Sequence, residues 1–415
     1  MDNIHELLSL EDCRKVIQAK LGRNGIKVLS HKIQSFSDKV EGLMGQHYRV
    51  EIEYKDEKVN SEQFFMKILN GTMKTIFDLC ISVNAYEKEE FIYTTYLDEL
   101  KKFNIDLDCL PRCYLCKPYL TVLEDLSVKG FLAAGGVDLD LDTCKTALET
   151  VAKFHCSSIL YEFYKSKDQG SPFSLVDTYP SVFRNVLICK DNNLGRQWFL
   201  KSVEGVCELI RIIPENDIKK DVFEKELREY VSRLYEINEG FNDSLCTILH
   251  GDLWSNNFLF KYHEGKPCES ILLDFQLIKY GPPSLDVLHF IYNNTRKCFR
   301  DLNIQHLIDY YYDCVRRRLN EHNFNDIPTK TKLLLFTKDL KVLVKLLCLC
   351  DRTVTLMASD TPSSTYDNDE NLRRYLFEER TGFLVNSFKA DEDFREIIQE
   401  DLLELRELLF NEHDV

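Results

Sequence analysis

The residues most suited to chemistry lie close together in the second half of the chain. His250, Asp252 and Asn257 occupy LHGDLWSNNFLF, Leu249 to Phe260, a stretch too densely polar for an ordinary core strand, and Asp274 follows in SILLDF, Ser270 to Phe275. An amide and a carboxylate, without thiolates or a histidine cluster, suit a hard cation such as Mg²⁺. That ion takes few protein ligands and completes its shell with water and substrate phosphates, so Asn257 and Asp274 point to nucleotide chemistry. Asp252 lies at the mouth of the same loop, where it could accept a proton from an attacking hydroxyl.

Such groups need a scaffold that brings them together. NFLF (Asn257 to Phe260) and SILLDF flank KYHEGKPCE, whose Gly265 and Pro267 favour a turn, so a hairpin is expected. If Phe260 pairs with Ile271, antiparallel register sets Asn257 beside Asp274. The pattern H-x-D-x-x-x-x-N with a later D-F pair resembles the catalytic and metal-binding loops of the protein-kinase-like superfamily. Such a site also uses a lysine on the third strand of a small lobe, paired with a helix glutamate. FFMKIL offers Lys67 in an apolar strand, where an unpaired ammonium would be costly. YEKEEFIYTTYLDEL offers Glu89 as its partner, with Glu87 and Glu90 as alternatives. The competing reading puts Lys67 on a strand edge, reaching out to water. Gly42 and Gly45, in SDKVEGLMGQHYRV, precede a strand as a phosphate-covering loop would, although a plain turn fits them too.

The rest of the chain is read as an amphipathic N-terminal helix, strands over His47 to Asp56 and Ser61 to Leu69, a helical stretch over Asn84 to Lys102, and a strand over Tyr119 to Ser127. From Leu139 onward helices are expected, interrupted only by the two short strands beside the motif. The predicted architecture is α+β and two-lobed. A strand-rich N-terminal part over 1–125 joins a larger helical part over 126–415 near Glu124 to Ser127, with catalytic and metal loops within 249–290.

Composition bounds the function. With 415 residues and 44% hydrophobic content the chain can bury a large core, and a net charge of −15 argues against a nucleic-acid partner. The N-terminus shows no signal-peptide pattern, and the apolar run from Lys332 to Cys350 is broken by Lys338, Lys341 and Lys345, so a buried helix and a cytoplasmic, non-membrane protein are expected. Fifteen cysteines read as free thiols, and the Cys113–Cys116 spacing as packing rather than a zinc site. No obligate protein partner is evident.

YLTVLEDLSVKGF, AKFHCSS, LHGDLWSNNFLF and LLDFQLIKYGPPSLDVLHFIY, in this order, resemble the ecdysteroid-kinase-like family, part of a broader choline-kinase-like and aminoglycoside-phosphotransferase-like group. The likeness covers Val40 to Asn294 well, and D-F-Q at Asp274 to Gln276 with Trp254 is its most specific element. It implies a bilobal protein-kinase-like fold and ATP-dependent phosphorylation of a hydroxyl on a small molecule, an ecdysteroid or a xenobiotic alcohol or phenol met in detoxification. It makes Asp252 the base, Asn257 and Asp274 the Mg²⁺ ligands, Lys67 the phosphate-binding lysine with Glu89 as partner, and Leu123, Glu124, Asp125 and Leu126 the adenine hinge. His250, Asp286 and His155 are read as structural. Asp98 stands where the family commonly has proline. Only eleven residues separate Asp274 from Asp286, too few for the activation segment of a protein kinase. The alternatives are a catalytically inactive kinase-like binding protein and a choline- or aminoglycoside-type kinase with a cationic acceptor. A carboxylate-lined cleft would favour the latter.

Overall fold

The computed structural model describes residues 7–36, 44–69, 71, 73–134, 138–214, 218–241, 244–360 and 368–410, with backbone alone at 355–360. Its first helix, α1 (Leu10–Leu21), starts where the Ser9 hydroxyl accepts the Asp12 N–H and the Asp12 carboxylate returns to the Ser9 N–H, and it ends at Gly22 in the left-handed region. Five strands follow as one antiparallel sheet: β1 (Lys27–Ser35), β2 (Gly45–Lys55), β3 (Val59–Leu69), β4 (Cys113–Lys117) and β5 (Leu120–Glu124), in the order β1-β2-β3-β5-β4. Period-two alternation sends Val50, Ile52, Phe64, Met66 and Val122 to one face, where they pack with Val16 and Ile17 of α1. The other face carries His47, Arg49, Phe65 and Lys67 toward the second lobe. Between β3 and β5 the chain forms helices α2 (Lys74–Ser82) and α3 (Ala85–Glu90), and α3 runs on as a wider-wound π turn over Phe91–Tyr96.

Beyond β5 most of the chain is helical. Strand β6 (Phe131–Ala133) precedes helix α4 (Leu141–Gln169), capped by Asp140, and α5 (Leu194–Ile212). Then come β7 (Thr247–Leu249), β8 (Phe258–His263), β9 (Lys266–Leu272) and β10 (Lys279–Gly281), followed by α6 (Ser284–Asn294), α7 (Lys297–Glu321), α8 (Lys338–Asp360) and α9 (Glu392–Phe410). The expectation of only two strands past Leu139 is therefore too low. β7 pairs with β10, and β8 lies between β6 and β9. Strands as short as β7 and β10 carry too few residues to show an alternation. α8 covers the lysine-broken run, and among the described residues no helix is long and apolar enough to cross a membrane.

The β8–β9 hairpin forms as expected, but its register is one residue off. Phe260 pairs with Ser270, not Ile271, and Leu259 takes Ile271. Glu264 and Gly265, both at positive φ, make a two-residue turn that closes His263 on Lys266, and a bulge between Lys261 and Tyr262 resets the pairing. Pro267 lies in the strand rather than the turn. As a result the Leu273 N–H bonds to Asn257 O at 2.9 Å, and Asp274 stands one residue further on.

The helical lobe contains an ion cluster sealed from water. Asp401 of α9, 1% exposed, lies 2.5 Å from Lys345 Nζ and 2.7 Å from Arg352 Nε, both on α8. Glu404 also meets Lys345, at 2.5 Å, and bonds Arg300 of α7. Asp401→Ala would leave these buried cations short of counter-charge, and is expected to cost about 3–5 kcal/mol of folding free energy. Urea unfolding measures this; a loss under about 1 kcal/mol would mean that Glu404 alone suffices.

Candidate active site

Lys67 stands on the cleft-facing side of β3, directly across from His47 on β2 and Thr121 on β5. Its Nζ lies 3.1 Å from Glu89 Oε1 and 2.9 Å from Asp274 Oδ1. Of the three candidate glutamates, Glu89 is the one that reaches it. Lys67 is thus 6% exposed and paired, not an edge lysine extending to solvent. Burial opposes its charge, but Asp274 and then Glu89 outweigh that and hold the ammonium protonated, while Lys67 in turn keeps Asp274 ionised. The Phe275 backbone also favours the Glu89 charge, and the neighbouring Lys88 fastens α3 to the segment after Asp274 through Ile278 O at 2.7 Å.

Asp274 adopts φ 64°, in the left-handed region that few side chains except Asp and Asn tolerate. This bend follows β9 and turns the carboxylate toward Lys67. Asn257 ends a short 3₁₀ turn over Ser255–Asn257. Its amide nitrogen donates to Asp252 O at 2.7 Å and to Asp252 Oδ2 at 3.0 Å, which leaves the amide oxygen as the ligand atom. One amide oxygen and one adjacent carboxylate fit an oxygen-loving divalent ion that keeps most of its own water.

The loop carrying Asp252 is held by a carboxylate beneath it. Asp286 accepts the His250 N–H at 2.6 Å and the Gly251 N–H at 3.1 Å, and its Oδ2 lies 3.1 Å from His155 Nε2. Burial disfavours the Asp286 charge, yet His155 and then His250 bring it down to about 2. His155 also bonds the Tyr311 hydroxyl at 2.7 Å, and His250 Nε2 donates to Leu273 O at 2.7 Å. Asp286, His155 and His250 thus bind to one another and to the loop backbone. Gly251, at φ 81°, lies so close to Leu277 that an added Cβ would collide with the Leu277 carbonyl oxygen.

Gly45 pairs with Leu69, and a Cβ there would come within 3.0 Å of Lys67 Cε. Gly42 lies outside the described residues. At the junction of the lobes the Glu124 N–H is already donated to Arg112 O, and the Asp125 carboxylate accepts from Ser127 N, Gln63 and Arg49. Leu123 and Leu126 are buried beside them.

Three groups at this site were not picked out in the sequence. His47 is pushed down to about 4 by burial and then by Lys67. His289 on α6 accepts the Leu253 N–H at 3.3 Å and lies 2.8 Å from Asp351 Oδ2 on α8. Asp351 is a lone acid after an apolar helical run, a visible signal but an ambiguous one. Among the described residues no group of three or more His, Cys, Asp or Glu could hold a metal, so Cys113 and Cys116 remain a pair.

A strand-rich lobe and a helical lobe, meeting at Lys67, Glu89 and Asp274, define the kinase-like class of fold. The chain belongs to the ecdysteroid kinase-like family, whose family model matches residues 39–324, well over half of it. Among curated proteins it is similar to the 4-hydroxytryptamine kinases of Psilocybe cubensis (44% identical over 48 residues, 11% of this chain and 13% of that protein) and Psilocybe cyanescens (40% over 58 residues, 14% and 16%). The chain therefore covers about a seventh of those relatives' length. Among solved structures it is similar to an ethanolamine kinase of Plasmodium vivax (12% identity, 89% of this chain and 83% of that one, TM-score 0.37) and to the GDP complex of aminoglycoside 2'-phosphotransferase-IIIa (11%, 98% and 99%, TM-score 0.35).

Asp252 is half-buried, and burial, then Asp351, then Asp274 push its carboxyl up to about 7. In nucleotide-free protein it is expected to titrate near neutrality, and Asp351→Asn should move that titration to lower pH by removing a like charge. Carboxyl-carbon NMR shifts followed through neutral pH check both; a midpoint unmoved in the variant would leave the shift to burial and Asp274.

Proposed function

We propose that the protein is an ATP- and Mg²⁺-dependent small-molecule O-kinase that transfers the γ-phosphoryl group to a hydroxyl of an ecdysteroid-like or xenobiotic acceptor. The observation that carries this reading is the meeting of Lys67, Glu89 and Asp274, with Asn257 bonded both to Asp252 and to Leu273, the residue before Asp274. In this reading residues 1–125 bind the nucleotide, and 126–415 carry the catalytic and metal loops, within 249–290, and the helices that bind the acceptor. Lys67 binds the α- and β-phosphates, with Glu89 fixing its ammonium, and Gly45 gives the phosphates a close approach to the sheet. Asn257 and Asp274 hold the metal, which when bound neutralises charge on the phosphate oxygens. Asp252 takes the proton of the acceptor hydroxyl as its oxygen bonds to the γ-phosphorus, while the bond from that phosphorus to the β–γ bridging oxygen breaks and ADP leaves. The segment Leu123–Leu126 reads adenine through backbone groups other than the Glu124 N–H, which is committed to Arg112. Fifteen free cysteines suit a reducing, cytoplasmic setting, and membership of the family suits a detoxification role.

Asp351 favours a second reading, a choline- or aminoglycoside-type kinase. A carboxylate held by His289 next to Asp252 would suit an acceptor with a protonated amine. Purified protein with ATP and Mg²⁺, screened by mass against ecdysteroids, plant phenolics, glycosides and amino alcohols, separates the two. Phosphate gain on none of them would favour the inactive binding protein.

Asp274→Ala is expected to abolish metal-dependent turnover while the protein stays folded by circular dichroism; unchanged activity at ordinary Mg²⁺ would remove Asp274 from the metal site. Asp252→Asn keeps shape but loses the proton acceptor, so kcat should fall by about 10²- to 10⁴-fold with little change in KM for ATP. Near-normal kcat with weakened ATP binding would make Asp252 a nucleotide contact instead.

A further inference from the structure

Lys88 stands next to Glu89 on α3 and has no part in the chemistry above. It is 1% exposed and pairs with no carboxylate among the described residues. Its Nζ donates instead to Ile278 O at 2.7 Å and to Arg184 O at 3.2 Å. Enclosing an ammonium with two neutral carbonyls is unfavourable. Burial, reinforced by the charges of Lys279 and Arg184, brings Lys88 down to about 7. A methionine would fill the same space without that penalty, so packing alone does not account for a lysine here.

What the lysine reaches is more telling. Ile278 lies four residues past Asp274 and immediately before β10, and β10 pairs with β7, which runs directly into His250, Gly251 and Asp252. Glu89, the next residue, bonds Lys67, which in turn bonds Asp274. Two successive side chains of one short helix are therefore tied to both ends of the Asp274–Ile278 segment, Glu89 through Lys67 and Lys88 directly. The third contact, Arg184 O, follows the short helix Pro180–Phe183, whose Phe183 packs against Phe91 at 5.4 Å and Tyr280 at 5.9 Å. That contact ties in β10 as well, through Tyr280.

We propose that Lys88 is a positioning residue that locks α3 onto the Phe275–Ile278 segment, so that Glu89, Lys67 and Asp274 stand in their working arrangement before nucleotide arrives. Its effect on turnover rests on the phosphotransferase reading; its effect on the segment does not. Lys88→Met removes a buried charge but keeps the volume, so its thermal midpoint should equal or exceed that of the natural protein. In the absence of nucleotide, amide hydrogen exchange across 85–96 and 275–281 should nevertheless quicken about tenfold, the scale of one lost charge-assisted hydrogen bond. With an acceptor in hand, kcat should fall about tenfold or more, while KM for that acceptor holds within about twofold.

Lys88→Gln keeps a donor for one carbonyl and should fall between the two. If Lys88→Met does not fold, faster exchange in the Gln variant over the same segments carries the test. Unchanged exchange in a folded variant overturns the proposal even if the natural protein is an active kinase. A fall in activity matched by a fall in folded fraction overturns it as well, since that is what a merely structural residue would give. Should the natural protein phosphorylate nothing in the screen, the exchange result still decides the lock, and only the kinase reading is lost.

Discussion

An ammonium held between two carboxylates joins the lobes of this protein. Lys67 comes from the sheet, Glu89 from α3 and Asp274 from the loop after β9, so three separately folded elements share one charge balance. None of the three would be stable there alone, because a buried charge without partners is strongly disfavoured. The sheet alternation that turns Lys67 away from α1, the backbone bend at Asp274 and the attachment of α3 at Ile278 all serve the same meeting point.

The larger lobe repeats that principle away from the cleft. Asp286 organises the loop of His250 and Gly251 through backbone N–H groups, and Asp401 gathers cations from α8. Both are acids with their charge fully committed. α8 carries Lys345 and Arg352 into the ion cluster and, one residue before Arg352, Asp351 toward the cleft. Fixing the helix by its buried cations thus fixes the direction of a cleft acid. α8 and α9 lie beyond residues 39–324, the part of the chain that the family model matches.

How much could be read in advance depended on whether a residue's setting was local. Lys67 in an apolar strand signalled itself, because a buried lysine demands a partner, and the spacing from Asp252 to Asn257 lies within a single loop. The hairpin was legible from its turn, but its register was not, since the bulge at Lys261 and Tyr262 leaves no mark in the hydrophobic pattern. β1 escaped notice because all but one of its residues stay at least partly exposed, so no alternation appears. Lys88, His289 and Asp351 owe their importance to partners between 36 and 190 residues away, and no window along the chain holds both members of such a pair.

The contact between Gly251 and the Leu277 carbonyl has a consequence for how the molecule can change over time. Because the backbones of the two loops touch with no room for a side chain, neither can gain a residue, shift or lengthen without the other. The spacing of Asp252 and Asp274 thus answers to both loops at once, and to α6, whose Asp286 and His289 hold the loop of Asp252. A side chain at 251 would have to be matched by a retreat of the Leu277 backbone. Those two positions are bound to vary together.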